Sequence, residues 1–317
     1  MKSLSFKNGD ALPVIGLGTW KAKPGEVGEA LLEALELGYR HIDCAAIYKN
    51  EKEIGMALRQ AFKAGIVQRE ELFITSKLWN SAHLPEDVAP SCERTLKDLQ
   101  LDYLDLYLMH WPVALRPEIG LDFPEKPEDF LSPDEAPIAS TWQAMEKLVD
   151  EGKCRHIGVS NFNQSSIESL LRGCRIRPEV NQIELHPYLP QKELVKFCQS
   201  ESILLTAYSP LGSRDRGSRK DSEPNLFELE AVREIAEAHG KSPAQILLAW
   251  HVNRGVSAIP KSTNKDRLWQ NLQAAEIELS DQEMTLLSEV REHHRYIGGD
   301  VWGMSGSPYS LDKLWGR

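Results

Sequence analysis

Eight short apolar runs, each followed by a loop and an amphipathic segment, constrain this chain more than any other feature. The strand candidates are residues 14–18, 41–44, 72–77, 105–110, 156–160, 180–184, 204–208 and 256–259. Helical patterns cover 26–37, 51–64, 85–99, 141–151, 165–172, 192–200, 227–239 and 265–272. Such alternation implies a parallel sheet with helical crossovers. Eight units favour closure into a (β/α)8 TIM barrel, and residues 1–317 are read as one such domain. An open, doubly wound sheet would need a glycine-rich turn for a dinucleotide. Gly16-Leu17-Gly18 is the one candidate, and it lacks the third glycine.

Ahead of the barrel, residues 4–6 and 12–14 flank Asn8-Gly9-Asp10, an Asn-Gly turn between apolar neighbours. That pattern predicts an N-terminal β-hairpin, placed to plug the barrel bottom. Three segments break the rhythm: 112–140 with six prolines, the polar stretch 212–225, and the tail after Arg295. They follow strands four and seven and the last helix, so they are expected as long loops at the C-terminal face. That face carries the chemistry in such barrels. Net charge is −10, which disfavours nucleic acid and anionic membranes as partners. No apolar stretch approaches the length of a transmembrane helix. Five cysteines, Cys44, Cys92, Cys154, Cys174 and Cys198, form no close pair. They read as free thiols in a reducing, cytoplasmic setting.

Four polar groups stand at or just beyond successive strand ends: Asp43, Tyr48, Lys77 and His110. Charges at the ends of apolar strands are costly to desolvate unless paired, and Asp43 and Lys77 can satisfy each other. An ammonium near Tyr48 would lower the pKa of its phenol from about 10 and suit it to proton donation. His110 could then orient a carbonyl oxygen. No side chain supplies a hydride, so a nicotinamide cofactor is required. A metal-dependent hydrolase would instead need clustered ligands at a strand end. His41 and Asp43 are the closest approach to that, and Lys77 beside them would repel a cation. A non-catalytic binding module on the same fold is the other alternative. The complete set of four polar groups argues against it.

The stretch Gly38-Tyr39-Arg40-His41-Ile42-Asp43-Cys44-Ala45-Ala46-Ile47-Tyr48, with Glu51 and Gly55, resembles the first signature of the aldo-keto reductase family. Met145 to Phe162, ending Gly158-Val159-Ser160-Asn161-Phe162, resembles the second, and Ile259-Pro260-Lys261-Ser262 the third. Gly16-Leu17-Gly18-Thr19-Trp20 and Glu184-Leu185-His186-Pro187-Tyr188 are similar to other family segments. The resemblance implies a catalytic tetrad of Asp43, Tyr48, Lys77 and His110, and reduction of aldehydes and ketones with NADPH preferred over NADH. It implies that Tyr208 stacks under the nicotinamide ring. Ser160, Asn161 and Gln182 would bind the carboxamide, with Thr19 and Trp20 alongside. Ser209, Leu211 and Ser213 would meet the pyrophosphate. Lys261, Ser262 and Thr263 would take the 2′-phosphate, and Arg267, Gln270 and Asn271 the adenine end. Trp20, Trp79, Trp111 and Trp302 would line the substrate pocket. A small carbonyl substrate and a monomer are the partner expectations.

Other residues read as structural. His41 should lie on the same side of its strand as Asp43, one layer deeper. Cys44 should point to the helices. Trp142, Trp250 and Trp269 are expected to pack on helical faces. The cations of 214–220 are interspersed with Asp215 and Asp221, which weakens any claim that the loop binds an anion.

Overall fold

Short β-branched and leucine-rich runs pair edge to edge because each can bury both of its faces only inside a closed, helix-covered sheet. In the computed structural model, which describes residues 2–217 and 219–316, they do so. The barrel strands are Leu17–Gly18, His41–Asp43, Phe73–Leu78, Leu104–Met109, Cys154–Ser160, Val180–Glu184, Leu204–Tyr208 and Ser257–Ala258. They are called strands one to eight below. Each neighbouring pair is parallel. The ring closes through a parallel bridge between Ile15 and Ala258. Gly16 N–H donates to Ala258 O at 2.9 Å, and Ala258 N–H to Val14 O at 2.8 Å.

The Gly-Leu-Gly run of strand one has a structural explanation here. A Cβ on Gly18 would lie 2.6 Å from Ile259 O, and one on Gly16 would lie 2.6 Å from His41 Nδ1. Gly18 lets the first and last strands meet, and Gly16 makes room for the His41 ring. Neither forms a phosphate turn.

Helices α1 (Glu26–Leu37), α2 (Glu51–Ala64), α3 (Pro85–Leu99), α4 (Ile138–Asp150), α5 (Gln164–Leu171) and α6 (Lys192–Ser200) follow the first six strands. After strand seven come α7 (Glu230–His239) and α8 (Pro243–Asn253), and after strand eight α9 (Lys265–Gln273) and α10 (Asp281–Ser288). A short α11 (Leu311–Trp315) closes the tail. The sequence pattern missed α8, because Gln245 to His251 are all buried, so the helix has no polar face to set a period. Its start was readable: Ser242 and Gln245 form a reciprocal capping box ahead of Pro243. Trp142 and Trp250 are fully buried, but Trp269 is 48% exposed on α9, against the expectation that it packs. In the segment 112–140, Ala114–Leu115 pairs with Phe130–Leu131 as a small antiparallel ribbon.

The N-terminal hairpin pairs Ser3–Ser5 with Ala11–Pro13 and caps the barrel bottom. Phe6 and Leu12 bury against Phe73, Leu106, Leu108 and Val180. His41 lies buried at this end, its Nδ1 3.3 Å from Pro13 O. His156 locks the plug. Its ring stacks on Phe6 at 3.8 Å, and its nitrogens meet Glu179 at 2.8 Å and Asp10 at 2.9 Å. Burial disfavours the imidazolium, but these two carboxylates outweigh it and raise the His156 pKa above 6.5. A pKa raised on folding gives stability that is complete below the unfolded value and is lost as pH rises through the folded value. The melting-temperature gap between the wild type and His156→Gln should therefore be widest near pH 5.5 and shrink towards pH 9. Thermal melts across that range check it; a gap independent of pH would remove the charged clamp.

Candidate active site

Residue alternation along strands two and three puts Asp43 and Lys77 inside the barrel at its C-terminal mouth. Lys77 Nζ donates to Asp43 Oδ1 at 2.5 Å and to Cys44 O at 2.7 Å. Both side chains are essentially inaccessible, at 0% and 2%. Gln182, on strand six, donates from Nε2 to Asp43 Oδ2 at 2.7 Å. The Thr19 hydroxyl donates to Asp43 O at 2.8 Å, and Asn50 Nδ2 donates to Thr19 O at 2.9 Å. Burial alone would depress the ammonium of Lys77, but Asp43 and the Tyr48 oxygen more than offset it, so its pKa is raised.

Tyr48 ends a 3-10 turn, Ala46–Tyr48, that follows strand two. Its Oη lies 3.4 Å from Lys77 Nζ. The ring is half-buried at the cleft floor, with Trp20 at 6.4 Å and His110 at 6.0 Å between centroids. Burial pushes its hydroxyl up to about 12 against the pull of Lys77. The sequence-based expectation had the opposite sign. A nearby ammonium does favour the phenolate, yet removing the phenolate from water costs more here. The Tyr48 hydroxyl thus keeps its proton at neutral pH, beside the Lys77 ammonium.

His110 follows strand four. Burial, then the charge of Lys77 and the nearby His83, hold it well below 6.5, so the ring is neutral. Its carbonyl oxygen accepts from Asn161 Nδ2 at 2.9 Å. Asn161 sits at φ 63°, which turns its side chain across the barrel mouth. Its Oδ1 accepts from Tyr208 Oη at 2.6 Å, and Ser160 Oγ donates to Gln182 O at 2.9 Å. Strands four to seven are thereby joined in one polar network.

A cleft of about 1550 Å³ opens above this network. It is lined by Tyr48, His110, Tyr208, Ser209, Leu211 and Ser213, and farther along by Lys261, Ser262, Thr263, Arg267, Gln270 and Asn271. Lys77 lies beneath it, reaching it only through Tyr48 and Asp43. Lys261 and Arg267 make no ion pair among the described residues, so both cations face the cleft with their charge available. Asn264 caps α9 between them by accepting from Arg267 N at 3.0 Å.

The aromatic end is tightly packed. Trp302 from the tail is 1% exposed and meets Trp79 at 5.9 Å, Trp111 at 5.4 Å and Phe123 at 5.8 Å between centroids. Trp20, on the loop after strand one, is half-exposed at the opposite rim. Tyr309, by contrast, turns away: its Oη accepts from Ala114 N at 2.9 Å and donates to Leu131 O at 3.0 Å. The sequence reading missed Phe123, Ile47, Ile297, Lys21 and Asp215, all of which line the cleft. Lys21 and Asp215 form an ion pair at 2.5 Å that spans it. No local pattern marks these residues, because only the folded loops bring them to the rim.

A (β/α)8 barrel whose buried polar network and long cleft share the C-terminal mouth is an enzyme scaffold of the barrel class. The aldo/keto reductase family model matches residues 14–292. An aldo/keto reductase of Synechocystis sp. is 54% identical over 317 residues, covering 99% of this chain and 96% of the relative. Aldo-keto reductase family 1 member A1 of Mus musculus is 50% identical, covering 93% and 91%. The solved aldose reductase of Schistosoma japonicum superposes with a TM-score of 0.88 at 44% identity, covering 98% of this chain and 99% of that one. The chain belongs to the aldo/keto reductase family, and it is an NADP-dependent oxidoreductase acting on carbonyl groups.

The buried pair makes one stability prediction. Lys77→Met leaves the Asp43 carboxylate buried without its counter-ion, a loss of about 3–5 kcal/mol of unfolding free energy. Denaturant titration of the variant measures it. A loss under about 1 kcal/mol would mean that Gln182 and water already satisfy Asp43.

Proposed function

We propose that the protein reduces small and aromatic aldehydes, and ketones more slowly, to alcohols, with Tyr48 as the general acid and NADPH as the preferred cofactor. The observation that carries this reading is the Tyr48 hydroxyl 3.4 Å from the Lys77 ammonium, at the floor of the cleft and facing His110. The reduced nicotinamide supplies hydride to the carbonyl carbon when bound. Tyr48 gives its proton to the carbonyl oxygen, and Lys77, fixed by Asp43, stabilises the phenolate left behind. Neutral His110 orients the oxygen by a hydrogen bond and adds no competing charge. Tyr208 presents a ring face for the nicotinamide, and Ser160, Asn161 and Gln182 offer polar atoms for its carboxamide. Thr19 and Trp20 flank that end. Ser209, Leu211 and Ser213, which line the cleft, would meet the pyrophosphate.

Trp20, Trp79, Trp111 and Trp302 make the substrate wall largely apolar. Such a wall fixes one oxygen and discriminates the remainder only by apolar contact, worth about 1–3 kcal/mol per methylene. Broad specificity follows, with aldehydes ahead of ketones because hydride addition is less hindered. Spectrophotometric oxidation of NADPH against a panel of aliphatic, aromatic and charged carbonyls tests it, in the wild type and in Tyr48→Phe. Turnover in the variant should fall by roughly 100-fold or more while NADPH still binds. Near-normal turnover would remove Tyr48 as the acid, and activity confined to one charged substrate would refute the apolar wall.

Cofactor preference rests on Lys261 and Arg267, whose cations make no ion pair among the described residues and suit a 2′-phosphate of about two negative charges. Ser262 and Thr263 add hydroxyls beside it, and Gln270 and Asn271 border the adenine end. Lys261→Met and Arg267→Ala should each weaken NADPH binding by about tenfold or more and NADH much less. Fluorescence titration with both cofactors reads the difference; equal losses would mean that these residues do not read the phosphate.

A further inference from the structure

The described residues of two long segments, the strap 212–225 and the tail after Arg295, meet at the cleft, and one side chain joins them. Glu184 ends strand six and is fully buried. Its Oε1 accepts from Tyr296 N at 2.7 Å and from His186 Nε2 at 2.7 Å, and its Oε2 accepts from Ile297 N at 2.8 Å. One carboxylate therefore grips two successive amides of the tail, just where it turns towards Trp79, Trp111 and Trp302. Burial works against the Glu184 charge, but His186, then the charge of Arg295 and the Tyr296 amide, hold its pKa below the usual carboxylate value.

Tyr296 then reaches the other way. Its Oη donates to Pro224 O at 2.9 Å, inside the strap. Its ring lies under the guanidinium of Arg216 at 5.2 Å, and a Cβ on Gly212 would come within 3.2 Å of it. Arg216 in turn pairs with Glu223 across the strap. The far side of the strap is held to the barrel rim by the Lys21–Asp215 pair. Nothing in the reaction uses Glu184 or Tyr296, yet both are buried and fully engaged.

We infer that Tyr296, gripped by Glu184, is a positioning residue that fastens the cofactor-side strap to the substrate-side tail, so that strap opening and tail position are coupled. This rests on the proposed cofactor site only for its second readout. Tyr296→Phe removes the bond to Pro224 and keeps the ring beneath Arg216. The first readout needs no cofactor: trypsin should cut the strap, which carries Arg214, Arg216, Arg219 and Lys220, about three- to tenfold faster in the variant, the factor one neutral hydrogen bond is worth. The second is NADPH release by stopped-flow displacement, which should accelerate by a similar factor of about three to ten. Glu184→Gln, which turns an N–H towards a tail amide, should accelerate both and also raise KM for aromatic aldehydes more than it lowers kcat. Melting temperatures within about 2 °C of wild type for Tyr296→Phe separate the effect from general unfolding. Cleavage and release both within twofold of wild type would overturn the proposal. Failure of the wild type to bind NADPH would instead overturn the cofactor reading and leave the trypsin comparison to decide the role of Tyr296.

Discussion

The buried Lys77–Asp43 pair organises the working end of this barrel. Taking two opposite charges out of water is costly, and it is tolerated only where further hydrogen bonds satisfy the remaining donors and acceptors. Each of those bonds recruits another element. Cys44 O takes a second proton of Lys77, Gln182 takes the second oxygen of Asp43, and Thr19 takes its backbone carbonyl. Strands two, three and six and the loop after strand one are thus tied to a single ion pair. Tyr48 completes the set from a short turn, close enough to feel the ammonium and buried enough to keep its own proton. The buried ion pair and the Tyr48 hydroxyl are thus held in one hydrogen-bonded set.

Around that rigid floor, the mouth is built from segments with little regular structure. The 112–140 segment, the 212–225 strap and the tail order themselves through aromatic contacts, ion pairs and backbone hydrogen bonds to one another. These segments are packed as well as bonded: Tyr296 belongs to the main core, and Trp302 and Leu314 to the aromatic cluster at the mouth. Asp43, Lys77 and His110 stay on or beside strand ends, while the walls of the cleft are carried by the long segments. A tail anchored at Glu184, with Trp302 inserted among Trp79, Trp111 and Phe123, makes this wall of the cleft part of the protein's own packing.

Much of the architecture could be read before folding. The alternation of strand and helix, the Asn-Gly hairpin and the polar residues at strand ends follow from local chemistry, because strand period and turn preference are set by neighbouring residues. The misses share a cause. Helix α8 is buried on every side, so its apolar residues carry no 3.6-residue period, and only its capping box announced it. Trp269 was expected to pack and is exposed, since the polar residues around it on α9 leave its face to water. Phe123, Ile297 and Asp215 belong to the cleft through the paths of long loops, which no local pattern encodes.

The sequence by itself determined the barrel, its plug and the set of polar groups at its C-terminal mouth, since each rests on interactions between residues near in the chain or on the fixed alternation of a strand. Only the tertiary structure decided how those groups behave. It set the sign of the shift at Tyr48, where loss of water outweighs a neighbouring ammonium. It also showed that Gly18 serves barrel closure, that Gly16 makes room for the His41 ring, and that Trp302 packs among Trp79, Trp111 and Phe123. Desolvation and close approach depend on what the rest of the chain brings alongside a residue, and that is fixed only when distant segments pack.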